Sequence, residues 1–210
     1  MFHGFEIGLT NIIIPEKVGR GTEINPAEQF FNNFGRINIF IMEVKEAILR
    51  RRSIRKYTNK SVDEEMINQI LEAGFYAPTA RNTQSNEFIV IREHGVLNTL
   101  AEVHPYGKML TTAAFAVVVC GSREREPLEQ YLNTNGCAAM QNMLLTAHSL
   151  GLGAVWLGVY PREDRMNGIA GVLNIPENFM PVQMFAAGWP DEQKAHPERF
   201  REDAVHYDSW

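Results

Sequence analysis

From residue 42 onward, hydrophobic positions follow two rhythms along the chain. Val44, Ala47 and Ile48 recur at helical spacing and predict a short helix over 42–51. Met66, Ile67, Ile70, Leu71 and Gly74 mark one face of a second helix. Ser61-Val62-Asp63-Glu64 supplies a Ser-x-x-Glu capping pattern before that helix, and Ala77-Pro78 stops it, because the residue before a proline is pushed out of the helical region. Continuous apolar runs predict strands at Phe88–Ile91, Phe115–Cys120, Ala154–Val159 and Val182–Gly188. Helices are expected over Val96–Val103 and from Pro161 through Met166, Ile169, Ala170 and Leu173, the second broken at Asn174-Ile175-Pro176. Cys137–Leu150 is apolar nearly all round, which predicts a central buried helix ended by Gly151. Within it, His148 reads as a core or interface histidine satisfied by backbone, since no second histidine or carboxylate stands at metal spacing. Val205-His206-Tyr207 reads as a closing strand-like end. The alternation of helices and strands points, by itself, to a parallel doubly wound sheet.

Residues 1–41 break this rhythm. Short apolar pieces, Asn11–Pro15 and Ile37–Ile41, are separated by Gly, Asn and Pro, and Phe30, Phe31, Phe34 and Phe40 crowd together. The expectation is an arm that packs on a partner subunit, with an upstream extension of the reading frame before Met42 as the alternative; 42–210 forms the domain.

Composition narrows the possibilities without choosing among them. With 210 residues, 45% hydrophobic and 21% charged, the chain can bury one sizeable core. A net charge of −5 argues against a nucleic-acid partner, where affinity rests on widespread phosphate neutralisation. Two cysteines, Cys120 and Cys137, are too few and too far apart for a disulfide framework, a Cys-x-x-Cys pair or a thiolate metal site. No apolar run reaches bilayer length and no signal peptide is visible, so a soluble, cytoplasmic protein is expected.

Against the acidic background, Arg50-Arg51-Arg52-Ser53-Ile54-Arg55-Lys56 concentrates five cations and a hydroxyl at a helix end. A solvated face is the first reading and a phosphate socket the second, because guanidinium forks and a serine hydroxyl can all donate to a dianion; Arg51-Arg52-Ser53 also resembles a basophilic kinase target. Hydrolase and nucleotide signatures are missing: Gly151-x-Gly153 lacks the third glycine of a dinucleotide turn, and no Walker loop or nucleophile elbow is present. Glu124, Glu126, Glu163 and Asp164 read as helix-surface carboxylates. What remains is the cationic cluster, an amide-rich loop at Asn82 and Gln84, and a strand end at Gly158. One ligand with a phosphate at one end and a ring with imide-like edges at the other would use all three, which describes FMN.

Four stretches in order, Arg51-Arg52-Ser53-Ile54-Arg55, Ala77-Pro78-Thr79-Ala80-Arg81-Asn82-Thr83-Gln84, Gly151–Gly158 and Arg199, make residues 42–210 resemble the FMN-dependent nitroreductase family, which includes flavin reductases and iodotyrosine deiodinases. The resemblance implies an α+β fold, a three-layer α/β/α sandwich with a mainly antiparallel sheet of four or five strands, in a homodimer with FMN at the subunit interface. It implies that Arg51, Ser53 and Arg199 hold the phosphate, that Arg52 makes backbone or ribityl contacts, and that Arg55 approaches the pyrimidine edge. Pro78, Thr79, Asn82 and Gln84 would come from the second subunit over the ribityl chain and ring, while Leu157 and Gly158 present a backbone N–H near flavin N5. Lys108 aligns with a family lysine only across a gap. No catalytic acid or base and no metal is implied. The implied chemistry is ping-pong: NADH or NADPH reduces the flavin and a small-molecule acceptor, a nitroaromatic or quinone, takes the electrons. The alternatives are a flavin-sequestering protein without efficient turnover, and an interaction module that uses Arg50–Lys56 as a docking segment. Ser85-Asn86-Glu87 departs from the Pro-Trp or Pro-Phe that many members place after the loop, which alters the loop's stiffness.

Overall fold

The structure, a computed structural model, describes residues 42–210, so the expectations for 1–41 lie outside the described residues. Its centre is a four-stranded, wholly antiparallel sheet of β1 (Asn86–Ile91), β2 (Phe115–Ser122), β3 (Gly153–Gly158) and β4 (Phe179–Gly188), in the order β1-β2-β4-β3. The parallel sheet suggested by alternation alone is therefore absent here, and the antiparallel sheet implied by the resemblance is found.

Five α-helices surround the sheet among the described residues: α1 (Val44–Arg50), α2 (Glu64–Phe75), α3 (His94–Val103), α4 (Glu129–Ser149) and α5 (Glu163–Leu173). Successive side chains on β2 go to opposite faces: Val117 and Val119 meet α2 and α4, while Ala116, Val118 and Cys120 meet α3 and α5. The result is three layers. Strands β2 and β4 are covered on both faces, which is why they read as unbroken apolar runs. Pro181 on central strand β4 cannot donate to a ladder. It is accommodated where the register shifts between Val119 and Cys120.

The helix α4 is longer than the apolar pattern suggested, beginning at Glu129 rather than Cys137, and it is buried on one side only. Leu132, Asn135, Gly136, Ala139, Met140, Met143, Leu144 and Ala147 face the sheet. Gln141 is exposed, and Cys137, Ala138, Leu145 and His148 are half-covered. Gly136 permits the close approach: a Cβ there would fall 2.5 Å from Val182 Cγ2. Gly151, at φ 80°, stops the helix as expected.

Two local readings are corrected. The Ser61 capping pattern is not used: Asp63 holds the N-cap position of α2 and no side chain closes it. A stronger cap goes to α3, where the Glu93 carboxylate accepts from the N–H groups of Gly95 and Val96. Val205–Tyr207 is not a strand. A 3-10 turn at Glu202–Ala204 leads into exposed chain that pairs with no sheet edge among the described residues.

Candidate functional site

The basic segment is built into the edge of the sheet. Helix α1 ends at Arg50, Arg51 turns extended (ψ 130°), and Ser53 bridges Ala154 in parallel while the Ile54 N–H donates to the Ala154 oxygen at 3.0 Å. Gly153 makes room, because a Cβ there would fall 2.6 Å from Ile54 Cγ2. Tyr57 secures the far end, its buried hydroxyl 2.7 Å from the Ile54 oxygen and 3.1 Å from that of Ala186. Burial pushes this phenol well above the ordinary tyrosine range, so it acts as a neutral structural group.

Arg52 then draws in the C-terminal segment. Its guanidinium donates Nε–H to the Ala195 oxygen at 3.0 Å, and Nη1 to the oxygens of Leu49 and Arg51 at 2.7 Å each. Glu192 reinforces this by accepting the Arg55 N–H at 2.6 Å and pairing with Lys194. The Arg55 side chain remains exposed. These ties bring Arg199 close enough to Arg51 for the two to repel: burial first, then Arg52 and then Arg199 hold the Arg51 pKa below its ordinary value. Neither Arg51 nor Arg199 has a carboxylate within ion-pair distance among the described residues.

His148, from the last turn of α4, joins the same neighbourhood. Burial and then the positive charges of Arg51 and Arg52 hold its pKa down, and its Nε2 is buried without a partner among the described residues. The expected satisfaction of His148 by backbone is thus not found. Arg51 is half-buried and Arg199 exposed, and with the partnerless His148 nitrogen beside them they give this edge positive charge that no carboxylate among the described residues balances.

Along the same edge, Leu157 is buried and Gly158 is exposed, with nothing within 4 Å of where a Cβ would project. Ala154, beside Ser53, and Gly158 are four residues apart on β3, or ~13 Å. Between them Trp156 is fixed from beneath: its Nε1–H donates to Gln183 Oε1 at 2.6 Å, and Gln183 Nε2 donates to Asn133 Oδ1 at 2.7 Å. Lys108, itself exposed, opens a 3-10 turn, Lys108–Thr112, whose Leu110 is buried.

The Pro78–Gln84 loop differs in character. Arg81, Asn82 and Gln84 have φ of 55°, 54° and 49°, a left-handed region that non-glycine residues enter at a cost. Several ties hold them there. The Ala80 N–H donates to Asn135 Oδ1 at 2.8 Å, the Gln84 N–H to Thr79 Oγ1 at 3.0 Å, and Arg125 Nη1 to the Gln84 oxygen at 2.9 Å. Arg81 Nη2 lies 2.7 Å from both oxygens of Glu126. Glu126, expected on a helix surface, is instead in the turn before α4 and 0% exposed. Arg81, its side chain 60% exposed, lies between it and solvent. The Arg81 hydrogen bond holds the Glu126 carboxyl below the usual carboxylate range, with the Leu128 N–H contributing in the same direction. Glu126 and Asn135 are the supports that sequence reasoning missed; a buried acid reveals itself only through its partner.

One chain does not bring all the expected residues together. The loop is tied to Asn135 near the start of α4, whereas the basic edge lies by His148 near its end. The two are thirteen positions apart, or ~20 Å along the helix axis.

Fold and site together define an antiparallel α/β/α sandwich with a basic edge beside an open strand end. The Nitroreductase family model matches residues 48–104 and 97–189. A relative from Methanothermobacter thermautotrophicus, described as a "putative NADH dehydrogenase/NAD(P)H nitroreductase", is 43% identical over 169 residues, covering 80% of this chain and 88% of that one. A crystal structure of a protein so described from Parabacteroides distasonis superposes with a TM-score of 0.77 at 34% identity, covering 81% of this chain and all of the other. Another, described in the same provisional terms as a nitroreductase and solved with FMN, from Desulfovibrio desulfuricans, gives 0.70 at 34% identity and covers 81% and 99%. The chain belongs to the nitroreductase family.

Proposed function

We propose that this protein is an FMN-dependent oxidoreductase working as a homodimer, with NADH or NADPH as donor and a nitroaromatic, quinone or related small molecule as acceptor. The observation that carries the proposal is the pair Arg51 and Arg199, one half-buried and one exposed, whose positive charges bear on one another without a carboxylate at an edge that also offers Ser53. A phosphate monoester, at roughly −1.5 to −2 charge near neutral pH, matches that donor set. Arg51, Ser53 and Arg199 hold the phosphate, while Arg52 acts mainly as the brace that delivers Arg199. Arg55 reaches towards the pyrimidine edge of the ring, and Leu157 with Gly158 forms the wall beside flavin N5, where the missing side chain leaves room. When bound, FMN supplies hydride acceptance from the nicotinamide and electron transfer to the acceptor, in a ping-pong sequence. The chain's task is placement and water exclusion, and no side chain is assigned as acid or base.

The ~20 Å offset along α4 supports the homodimer: Pro78, Thr79, Asn82 and Gln84 serve a cofactor at the basic edge of a second copy. Exposed apolar side chains agree. Val44, Ile48 and Leu49 on α1, Phe75 and Tyr76 at the end of α2, and Phe200, Tyr207 and Trp210 in the tail are all left open by a single chain, as is one side of α4. Two free thiols suit a reducing, cytoplasmic setting. Residues 42–210 constitute the FMN-binding domain in this reading.

The test is direct. Protein purified, reconstituted with FMN and desalted should retain flavin absorbance bands, and anaerobic NADH or NADPH should bleach them. Bands without bleaching would favour sequestration over turnover, and no bands would end the flavin reading.

A further inference from the structure

The carbonyl oxygen of Gly158 receives side-chain donors from two separate elements. His104, directly after α3 and 1% exposed, places Nε2 at 3.0 Å, and Arg165 on the first turn of α5 donates from Nη1 at 2.7 Å. The histidine is oriented from behind, since the backbone N–H of Tyr106 points at its Nδ1 from 3.2 Å. Nδ1 is therefore an acceptor, the ring proton is on Nε2, and Nε2–H donates to Gly158. Burial keeps His104 below its ordinary pKa, outweighing the opposing effect of the Gly158 hydrogen bond, so the ring is neutral at pH 7. Arg165 repels its proton and Asp164 attracts it, both from α5. Arg165 is itself steadied over the Tyr106 ring, 5.6 Å from the centroid.

The target of these donors lies where the β3 ladder ends, one residue before buried Val159 and two before Tyr160, whose N–H donates to the Val182 oxygen at 3.0 Å. Gly158 is the last paired residue of an edge strand, opposite Gln183, with no Cβ and nothing within 4 Å of where one would be. Glycine at a strand end has the greatest backbone freedom of any residue, and such ends open locally at low cost.

We propose that His104 and Arg165 are positioning residues which grip the Gly158 carbonyl from two sides and hold the end of β3 in the orientation its backbone presents to the flavin ring. The ring-facing half of this inference rests on the proposed function, whereas the grip belongs to the chain without cofactor. A packing role for His104 predicts something different, because glutamine can restore a donor to Gly158 but phenylalanine restores only bulk.

The full-length protein is compared with its His104→Phe, His104→Gln, Arg165→Met and Arg165→Lys variants. Amide hydrogen exchange at Gly158 and Val159 is measured without added FMN, followed by FMN affinity and the single-turnover rate of flavin reduction. His104→Phe and Arg165→Met should each speed exchange at these two amides and slow reduction by about tenfold, the worth of one such hydrogen bond. FMN affinity should stay within about threefold, as the phosphate residues lie well away along β3. Gln and Lys should recover much of each loss. Unchanged exchange in both His104→Phe and Arg165→Met overturns the grip, and equal impairment by Phe and Gln reduces His104 to packing. Arg165 is half-exposed, so its variants carry the test if His104→Phe does not fold. Parent protein showing no flavin bands overturns the proposed function and the ring-facing role with it, and exchange then decides the grip alone.

Discussion

The basic edge and the Pro78–Gln84 loop both carry arginine, yet they handle it in opposite ways. Arg81 in the loop is neutralised internally by Glu126, which is shut off from water, and the backbone around it is forced into left-handed conformations and tied there. At the edge the backbone is relaxed and hydrogen-bonded along β3, but Arg51 and Arg199 are left to repel each other. One region stores its cost in conformation and is complete in itself. The other concentrates positive charge without a carboxylate, which suits it to an external anion. In the proposed homodimer the loop presents and the edge receives, and the helix α4 holds them ~20 Å apart.

The largest expected effect tests the receiving surface. Replacing both Arg51 and Arg199 with alanine removes two charge-assisted hydrogen-bonding groups, each worth about 1.5–3 kcal/mol, and should weaken FMN binding by roughly 10²- to 10⁴-fold. Fluorescence titration with FMN measures this, while circular dichroism should be unchanged and analytical ultracentrifugation should show a weaker dimer. An intact, flavin-loaded double variant would count decisively against the assignment. Next comes the support that both regions share. Gly136→Ala drives a methyl into Val182 and should cost about 1–3 kcal/mol by overpacking, whereas Gly171→Ala on α5, where a Cβ meets nothing within 4 Å, should be neutral or stabilising. Urea unfolding of the two variants provides the comparison.

These contrasts mirror what could be read from sequence. Strands β2 and β4 were legible because burial on both faces leaves an unbroken apolar run, as in Val117-Val118-Val119. The start of α4 was not, since Glu129 to Asn135 is polar but for Tyr131 and Leu132 and is held in the helix by tertiary ties such as Asn135 to Ala80. The wholly antiparallel sheet was opposed by the local alternation and came only from the resemblance, because strand direction is decided by long-range pairing. At the site, the clustered Arg51–Arg55 was visible as charge, and the resemblance linked it to Arg199. Glu126 was read wrongly because the partner that explains it, Arg81, is forty-five positions away.

The presenting surface should respond to acid. Glu126 titrates below the usual carboxylate range, so its contribution to stability is present above the unfolded value near 4.5 and is lost as pH falls through the lower folded value. Glu126→Gln should flatten the stability-versus-pH curve over that window by no more than one bound proton. It should also expose Arg81 to trypsin at neutral pH while leaving FMN affinity far less changed than the Arg51 and Arg199 pair does. Tm followed from pH 3 to 6, with a timed digest, checks both.

The smallest effect separates strain from contact within the loop. Gln84→Ala and Gln84→Gly remove the same amide, but only glycine is at ease at a φ of 49°. If the loop stores conformational cost there, the glycine variant should be the more stable by up to about 1 kcal/mol, less whatever flexibility it adds to the unfolded chain. In a chain of this size that is a Tm difference of about 2–4 °C. FMN affinity should move the other way, falling further with glycine than with alanine, because a loop free to leave its strained geometry must be reordered when it closes over a ligand. Equal Tm values would mean that the ties from Thr79 and Arg125, rather than local strain, set the loop's shape. The contrast between a conformationally loaded loop and a charge-loaded edge would then rest on the Arg81–Glu126 pair alone.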